Sequence, residues 1–192
     1  MQVFHLSQIK LKTKTRCHVL KPTTTSTFYL NKYQLNDLIV IADAGLMSND
    51  NIAELQSKNY QYIIGARIKN ETKLIQKQLL SLHLKNGESA AIVKDETSKI
   101  IISYSDARAK KDAANRKRGV EKLEKNISRG KLTKQHINNR GYNKYLKLEG
   151  EVKISIDKEK YKADAKWDGL KGYCTNTALT KDQIIEQYNH LW

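Results

Sequence analysis

The sequence predicts an α/β fold, and three observations support this prediction. Two apolar runs, LIVIAD (38–43) and YQYIIGAR (60–67), have the length and content of strands that are buried on both faces. The segment between them has helical spacing, because Ser48 can cap a helix whose apolar stripe includes Ile52 and Leu55. A strand, a helix and a strand within about thirty residues form a crossover unit, which is almost always right-handed with parallel strands.

Three further elements are predicted downstream of this unit. A helix is expected from Thr72 to about His83. SAAIVKD (89–95) and KIIISYS (99–105) then flank a short polar turn and predict a β-hairpin. Residues 106–128 predict a long basic helix.

The C-terminal third predicts three strands and a last helix. The strands are expected at 144–149, 152–156 and 170–178. Thr180 and Gln183 have the spacing of a capping box, which predicts that a helix begins after Thr180. The apolar positions of that helix follow at helical spacing: Ile184, Ile185, Tyr188 and Leu191.

Length and composition bound the class of protein. A chain of 192 residues with 39% hydrophobic residues can form one domain, or one domain with a large insertion, and is not expected to be disordered. No run approaches the ~20 apolar residues of a membrane span, and the first residues lack a signal-peptide core. We therefore expect a cytoplasmic protein. Cys17 and Cys174 have no metal-ligand spacing, and two reduced thiols are favoured over one disulfide.

The charge is strongly basic and unevenly distributed. The formal net charge is +15. Residues 106–147 hold fourteen Lys or Arg against four Asp or Glu, so 14 − 4 gives +10 in this segment alone. Such a balance indicates a polyanionic partner, with nucleic acid favoured over an anionic membrane surface.

The basic helix has two interpretations. It can be a solvated amphipathic helix, or a surface that contacts phosphates and positions a nucleic acid without reading its sequence. We favour phosphate contact. The candidate DNA-binding residues are Arg108, Lys110, Lys111, Arg116, Lys117 and Arg118.

Asp43 is the candidate catalytic residue and magnesium ligand. It follows an apolar strand, and active sites of open α/β sheets lie at the carboxyl ends of the strands. Mg²⁺ prefers oxygen ligands and commonly takes one or two protein carboxylates together with substrate phosphate. Taken alone the pattern is weak, because an acid in this position is more often a helix cap or a turn former.

The segment VIADAGLMSNDNIAELQSKNYQYIIGARIK (40–69) resembles the region around the second catalytic Asp of DDE transposases from bacterial insertion sequences. The resemblance implies a ribonuclease-H-like core in which two Asp and one Glu hold two Mg²⁺ ions for phosphoryl transfer on DNA. Asp43 matches the second Asp. The implied partners are insertion-sequence ends and target DNA, and members of this family generally act as dimers.

Three later segments resemble the same family. SYSDARAKKDAANRKRGVEKLEK (103–125) is similar to the basic region of its insertion domain, and WDGLKGYCTNTAL (167–179) to the strand that returns to the core. IIEQYNHLW (184–192) resembles the start of the helix that carries the catalytic Glu. Tyr188 matches a tyrosine of that helix, which makes it a further candidate DNA contact. Leu191 stands where many members have Arg.

The resemblance is incomplete at both ends. The Glu would fall three residues past Trp192, and the only acid before Asp43 is Asp37, which is too close to lie on another strand. We therefore expect a truncated family member that does not cleave DNA alone, and a non-catalytic nucleic-acid-binding protein is the alternative. The expected organisation is an unmatched segment (1–30), a partial ribonuclease-H-like core (31–85), an insertion subdomain with the hairpin and basic helix (86–165), and the return strand with the start of the last core helix (166–192).

Two other acids have less specific patterns. Asp168 precedes a glycine and a strand, which is typical of a turn, and a place beside the metal site is the alternative. Glu186 lies on the last helix at an offset that does not match the family's Glu, so we expect it to be solvated. No histidines pair at metal-ligand spacing, which gives no basis for a zinc site.

Overall fold

The computed structural model describes residues 3–5, 39–45, 49–57, 59–150 and 153–191. In these residues the fold is mixed α/β, as predicted, with a six-stranded mixed sheet, a two-stranded sheet and five α-helices. The chain divides into two compact units. The first consists of Met1–Leu84, Ser89–Ser103 and Lys171–Trp192, and the second of Lys85–Glu88 and Tyr104–Leu170.

Eight strands form the two sheets. In chain order they are β1 (Val3–His5), β2 (Ile39–Ala42), β3 (Gln61–Ala66), β4 (Ser89–Val93), β5 (Lys99–Tyr104), β6 (Leu146–Glu149), β7 (Lys153–Ile156) and β8 (Leu170–Thr175). The large sheet has the order β1-β2-β3-β8-β5-β4, and β6 pairs with β7. Strands β1, β2 and β3 are parallel, whereas β8 runs antiparallel to β3 and β4 runs antiparallel to β5.

The five helices are α1 (Asn49–Ser57), α2 (Lys73–Leu80), α3 (Asp106–Ser128), α4 (Lys158–Ala165) and α5 (Lys181–Asn189). The starts of α2 and α5 agree with the predictions from the sequence. Thr72 caps α2, Ser105 caps α3, and Thr180 with Gln183 forms the predicted capping box of α5. Within the described residues, no helix combines the length and the apolar character needed to cross a bilayer.

The predicted crossover unit is present as β2, α1 and β3. Its two strands are parallel, with Ile41 opposite Ile63. Side chains alternate between the two faces of the sheet, because successive residues of a strand point to opposite sides. One face carries Ile39, Ile41 and Ile63 against α5.

The opposite face packs on α1. Ala42, Tyr62, Ile64 and Cys174 form its buried cluster, and Ile52 and Leu55 of α1 pack against it as their spacing predicted. Cys174 is a buried free thiol whose pKa is raised by burial. Cys17 lies outside the described residues.

A side-chain bridge extends the pairing of β8 with β3. Asn176 accepts a hydrogen bond from the Tyr62 N–H at 2.8 Å and donates to the Tyr60 carbonyl at 2.9 Å. The buried Thr175 hydroxyl donates to the Tyr62 carbonyl at 2.6 Å. These bonds fix the end of β8, which leads directly into α5.

The second unit has its own core. Val120 and Leu123 of α3 pack with Tyr145 and Leu146, and apolar side chains from β7 and the neighbouring turns cover them. Helix α4 was not predicted. Its eight residues, KEKYKADA, include no buried side chain, so the spacing of apolar positions gave no signal.

The hairpin differs from the predicted domain organisation. Strands β4 and β5 pair as expected, yet they belong to the six-stranded sheet of the first unit, whereas the sequence placed them in an insertion subdomain at 86–165. The reason is a long-range pairing, since β5 lies beside β8 in that sheet. Of the unmatched segment 1–30 the structure describes residues 3–5 alone, and Asp37 and the predicted cap Ser48 lie outside the described residues.

Candidate functional site

Asp43 follows β2 at its carboxyl end, on the face that packs against α5. Ile39 and Ile41 belong to the core on that face, and Asp43 continues their alternation. Its Oδ1 accepts a hydrogen bond from the Gly45 N–H at 2.7 Å. Its Oδ2 accepts a bond from the hydroxyl of Tyr188 at 3.4 Å. The carboxylate is therefore held by the following turn on one side and by the last helix on the other.

Tyr188 belongs to the buried side of α5. Its side chain is only 3% exposed and packs edge-to-face on Tyr173, with ring centroids 4.8 Å apart. Such aromatic pairs contribute about 1 kcal/mol beyond the area they bury. The sequence placed Tyr188 among the DNA contacts. Its ring lies in the core, and only its hydroxyl end reaches the carboxylate of Asp43.

Gly65 of β3 provides the space for this contact. A Cβ built on Gly65 would lie 2.5 Å from the Tyr188 hydroxyl and 3.1 Å from the backbone nitrogen of Ala44. Real Cβ atoms essentially never lie as close to another atom as 2.5 Å, and 3.1 Å is tighter than nine in ten real Cβ contacts; the Ala44 nitrogen is a backbone atom that cannot swing away. The absence of a side chain at this position therefore lets Tyr188 and the turn after β2 meet.

A lysine completes this end of the sheet. Lys171 lies two residues before Tyr173 on β8, so the two side chains share a face. Its Nζ is 5.2 Å from the ring centroid of Tyr173 and 4.7 Å from that of Tyr188. We refer to Asp43, Gly65, Lys171, Tyr173 and Tyr188 as the Asp43 site.

The ligands of the implied magnesium centre are only partly present. In the part of the chain that the structure describes, no three acidic, histidine or cysteine side chains group closely enough to hold a metal. Asp43 can supply one oxygen ligand beside a substrate phosphate, which is the smallest set of protein ligands that Mg²⁺ uses. Glu186 is exposed on α5, as expected. The described residues thus fit one ligand of one ion, and they do not fit a two-ion site.

The predicted DNA-binding residues of α3 lie in different environments. Arg116 is buried, and its guanidinium forms two parallel hydrogen bonds with the carboxylate of Asp168. The hydrogen bond to Asp168 raises the pKa of Arg116, although burial acts in the opposite direction. This geometry corrects the assignment of Arg116 to the phosphate contacts, because its charge is already neutralised inside the protein. Asp168 thereby has a structural role as the partner of Arg116.

Apart from Asp106 and Arg108, the exposed charged residues of α3 form two stripes of equal length. The basic stripe consists of Lys111, Arg118, Lys122 and Lys125, which are exposed and follow one another at intervals of seven, four and three residues. Each residue of the mixed stripe directly precedes a residue of the basic stripe in the sequence. The mixed stripe consists of Lys110, Lys117, Glu121 and Glu124. The charge sums to +4 on the basic stripe and to zero on the mixed stripe.

Ion pairs strengthen the difference between the stripes. On the mixed stripe, Lys117 Nζ lies 4.0 Å from Glu121 Oε1. Arg108 is also paired, with its Nε 3.6 Å from Asp112 Oδ2. The basic stripe spans about 21 Å, since fourteen residues rise by ~1.5 Å each. Of the six predicted contacts, Lys111 and Arg118 therefore belong to the basic stripe, which Lys122 and Lys125 extend.

Comparison of the chain with protein-family models, with curated proteins and with solved structures found no match. Proposals about its function depend on its residues and their geometry. The two features that bear on function are the Asp43 site in the first unit and the basic stripe in the second.

Proposed function

We propose that this chain is part of a DDE transposase with a ribonuclease-H-like core, and that Asp43 is the second catalytic carboxylate of that core. The full site would act on DNA phosphodiesters with Mg²⁺. The basic stripe would contact the DNA backbone. The proposal rests on the resemblance in four segments together with the geometry of the Asp43 site.

The contact between Asp43 and Tyr188 is the observation that carries the proposal. The two residues lie 145 positions apart, in segments that resemble the family independently of each other. Both segments belong to the active centre in the family. A shared active centre would bring these two segments together, whereas a chance resemblance in either segment gives no reason for their side chains to meet.

The incomplete ligand set limits what the polypeptide is expected to do. In the family, the bound Mg²⁺ ions activate the attacking oxygen and stabilise the leaving oxygen. One carboxylate cannot hold two ions about 4 Å apart in a productive arrangement. We therefore expect no strand cleavage by the 192-residue polypeptide alone with Mg²⁺ or Mn²⁺.

A non-catalytic nucleic-acid-binding protein is the second candidate. The basic stripe favours it, because four exposed cations in one row on a helix can contact backbone phosphates without needing a catalytic centre. This candidate predicts that DNA affinity does not depend on the side chain of Asp43. The transposase proposal predicts that Asp43 faces the bound DNA.

DNA affinity in the Asp43→Asn variant separates the two candidates. An ionised carboxylate about 4 Å from a phosphate repels it by about 1 kcal/mol in a watery site. Without divalent metal, Asp43→Asn should therefore bind labelled duplex DNA several-fold more tightly than the wild type. Ca²⁺, which binds carboxylates and phosphates together, should strengthen binding by the wild type more than by the variant.

Asp50→Asn is the matched control, because it removes the same charge from an exposed position on α1. Equal behaviour of the Asp43 and Asp50 variants, with and without Ca²⁺, would favour the simple binder over the transposase core. Robust cleavage of terminal-repeat DNA by the wild type, lost in Asp43→Ala, would contradict the expected inactivity.

A further inference from the structure

The ring of Tyr142 lies flat on α3 at Gly119. Tyr142 belongs to a 3₁₀ turn (Gly141–Tyr145) of the second unit. A Cβ built on Gly119 would lie 2.3 Å from Cδ1 of Tyr142 and 2.4 Å from both neighbours of that atom, Cγ and Cε1. Such similar distances place the Cβ over the face of the ring rather than beside its edge. Gly119 thus covers one face, and Tyr142 is still 43% exposed, so its accessible area lies on the opposite face and the edges.

Gly119 is an unfavourable residue at this position for the helix itself. It lies in the interior of α3, a helix of 23 residues, where glycine loses more backbone entropy on folding than any other residue. Any Cβ here would have to displace the ring of Tyr142. What glycine provides at this position is therefore the close approach of an aromatic ring to the helix backbone.

Cations of the basic stripe lie next to this ring. Lys122 comes three residues after Gly119, which makes the two positions neighbours on the helix surface. Arg118 donates a hydrogen bond from Nη2 to Asn115 Oδ1 at 2.5 Å. Asn115 comes four residues before Gly119, so this bond holds the guanidinium on the side of α3 that carries Tyr142. The amide of Asn115 is neutral, so Arg118 keeps its positive charge there.

We propose that Tyr142 stacks on an unpaired base of single-stranded DNA whose phosphates contact the basic stripe. This inference rests on the DNA contact that the proposed function assigns to the stripe, and it adds a preference for a single strand over a duplex. A ring face beside cations suits a single strand, because every base has a π-face and every nucleotide carries a phosphate. Inside a duplex the neighbouring bases already cover both faces of each base.

An abasic strand separates stacking from charge. The probes are a short fluorescently labelled oligothymidine and an abasic strand with the same number of phosphates, and their anisotropy is followed with the full chain. The wild type should bind the oligothymidine at least about five-fold more tightly, the low end of what one stacked base contributes. Tyr142→Leu should lose this preference, and Tyr142→Phe is the matched control that should keep it.

Duplex DNA provides the control for folding and for charge. Tyr142→Leu leaves every cation of the basic stripe in place, so its affinity for a labelled duplex should equal that of the wild type. Retained duplex binding shows that the variant is folded. A parallel loss of affinity for the duplex, the oligothymidine and the abasic strand would contradict stacking by Tyr142.

Gly119→Ala tests the position of the ring without removing it. The added Cβ displaces the ring, whereas alanine favours the helix, so the variant should remain folded and its preference for oligothymidine should fall. A spectroscopic measurement reports stacking itself. In Tyr142→Trp, the fluorescence of the new indole, taken as the difference from Tyr142→Phe, should be quenched by oligothymidine and not by the abasic strand. Equal quenching by both strands would contradict the inference.

The outcomes separate this inference from the proposed function. If Tyr142→Leu keeps the wild-type preference for oligothymidine, the inference is wrong, and duplex binding that depends on Asp43 would still support the proposed function. If Tyr142 carries the preference while Asp43→Asn behaves like Asp50→Asn, the transposase core is wrong and the stacking site stands. If the wild type binds neither a duplex nor a single strand, both are wrong.

Discussion

The Tyr188 hydroxyl occupies the space that a side chain on Gly65 would fill. A Cβ at Gly65 would lie 2.5 Å from that hydroxyl and 3.3 Å from the ring carbon that bears it. The position of the last helix relative to Asp43 is therefore tied to a residue with no side chain on the neighbouring strand. This relationship can be tested by stability measurements that do not depend on any activity.

Gly65→Ala should destabilise the protein by about 1–3 kcal/mol, because overpacking a well-filled core forces neighbours to move. The measurement is the free energy of unfolding in urea. Tyr188→Phe removes the clashing oxygen, so Gly65→Ala should cost clearly less in the Tyr188→Phe background. Equal costs in both backgrounds would show that the hydroxyl does not lie over Gly65.

The Arg116–Asp168 pair should contribute far more to stability than the exposed pairs of α3. Arg116→Met leaves a carboxylate that is only 16% exposed without its partner, and such a change typically costs about 3–5 kcal/mol. Arg108→Met is the matched control, because it breaks an exposed pair worth at most about 1 kcal/mol. Urea unfolding of both variants gives the comparison, and similar costs would contradict the buried geometry of Arg116.

Much of the fold could be predicted from local signals. The crossover unit followed from two apolar runs, and the start of α5 followed from Thr180 and Gln183, since caps act within one turn. The position of β5 beside β8 could not be predicted, because strand pairing depends on residues that are distant in the sequence.

The candidate site was predictable only in part, for related reasons. Asp43 was found because an acid follows a buried strand, and Tyr188 only through the resemblance of its helix. Lys171 had no signal, since one lysine among many looks solvated. Arg116 was misassigned because its sequence context is that of its exposed neighbours, and its partner Asp168 lies 52 residues further along.

The basic stripe should dominate DNA affinity. Lys122→Glu with Lys125→Glu reverses two charges on this stripe, and the salt slope of DNA binding should fall by about 1.8 if each lysine contacts one phosphate. Lys110→Glu with Lys117→Glu makes the same change in net charge on the mixed stripe and should alter binding much less. Equal losses in the two double variants would indicate a general charge effect rather than a defined surface.

The turn between β4 and β5 should make stability depend on acid pH. Burial alone would raise the pKa of Asp95, but hydrogen bonds from Ser98 and Thr97 outweigh it and lower the pKa below the ordinary 3.8. A carboxyl group whose pKa is lower in the folded state than in the unfolded state stabilises the protein at pH values above its unfolded-state pKa. This stabilisation is lost as the pH falls through the folded-state pKa.

Asp95→Asn should therefore lower the thermal midpoint at pH 7, and its difference from the wild type should shrink as the pH falls below 3.8 and vanish once the pH is below the lowered folded-state pKa. Glu96→Gln is the control in the same turn, because its carboxylate is exposed. A pH-independent difference between Asp95→Asn and the wild type would mean that the carboxylate charge is not what the turn stabilises.

Cross-linking of DNA to the protein tests most directly whether Asp43 faces a nucleic-acid backbone. A duplex with azidophenacyl groups on phosphorothioate positions is bound to the wild-type chain and irradiated, and the attached peptides are identified by mass spectrometry. We predict cross-links in peptides that contain Asp43, Lys171 or Tyr188, in addition to those from the basic stripe, and their loss on adding unlabelled DNA. Efficient cross-links to the basic stripe with none at the Asp43 site would contradict the account.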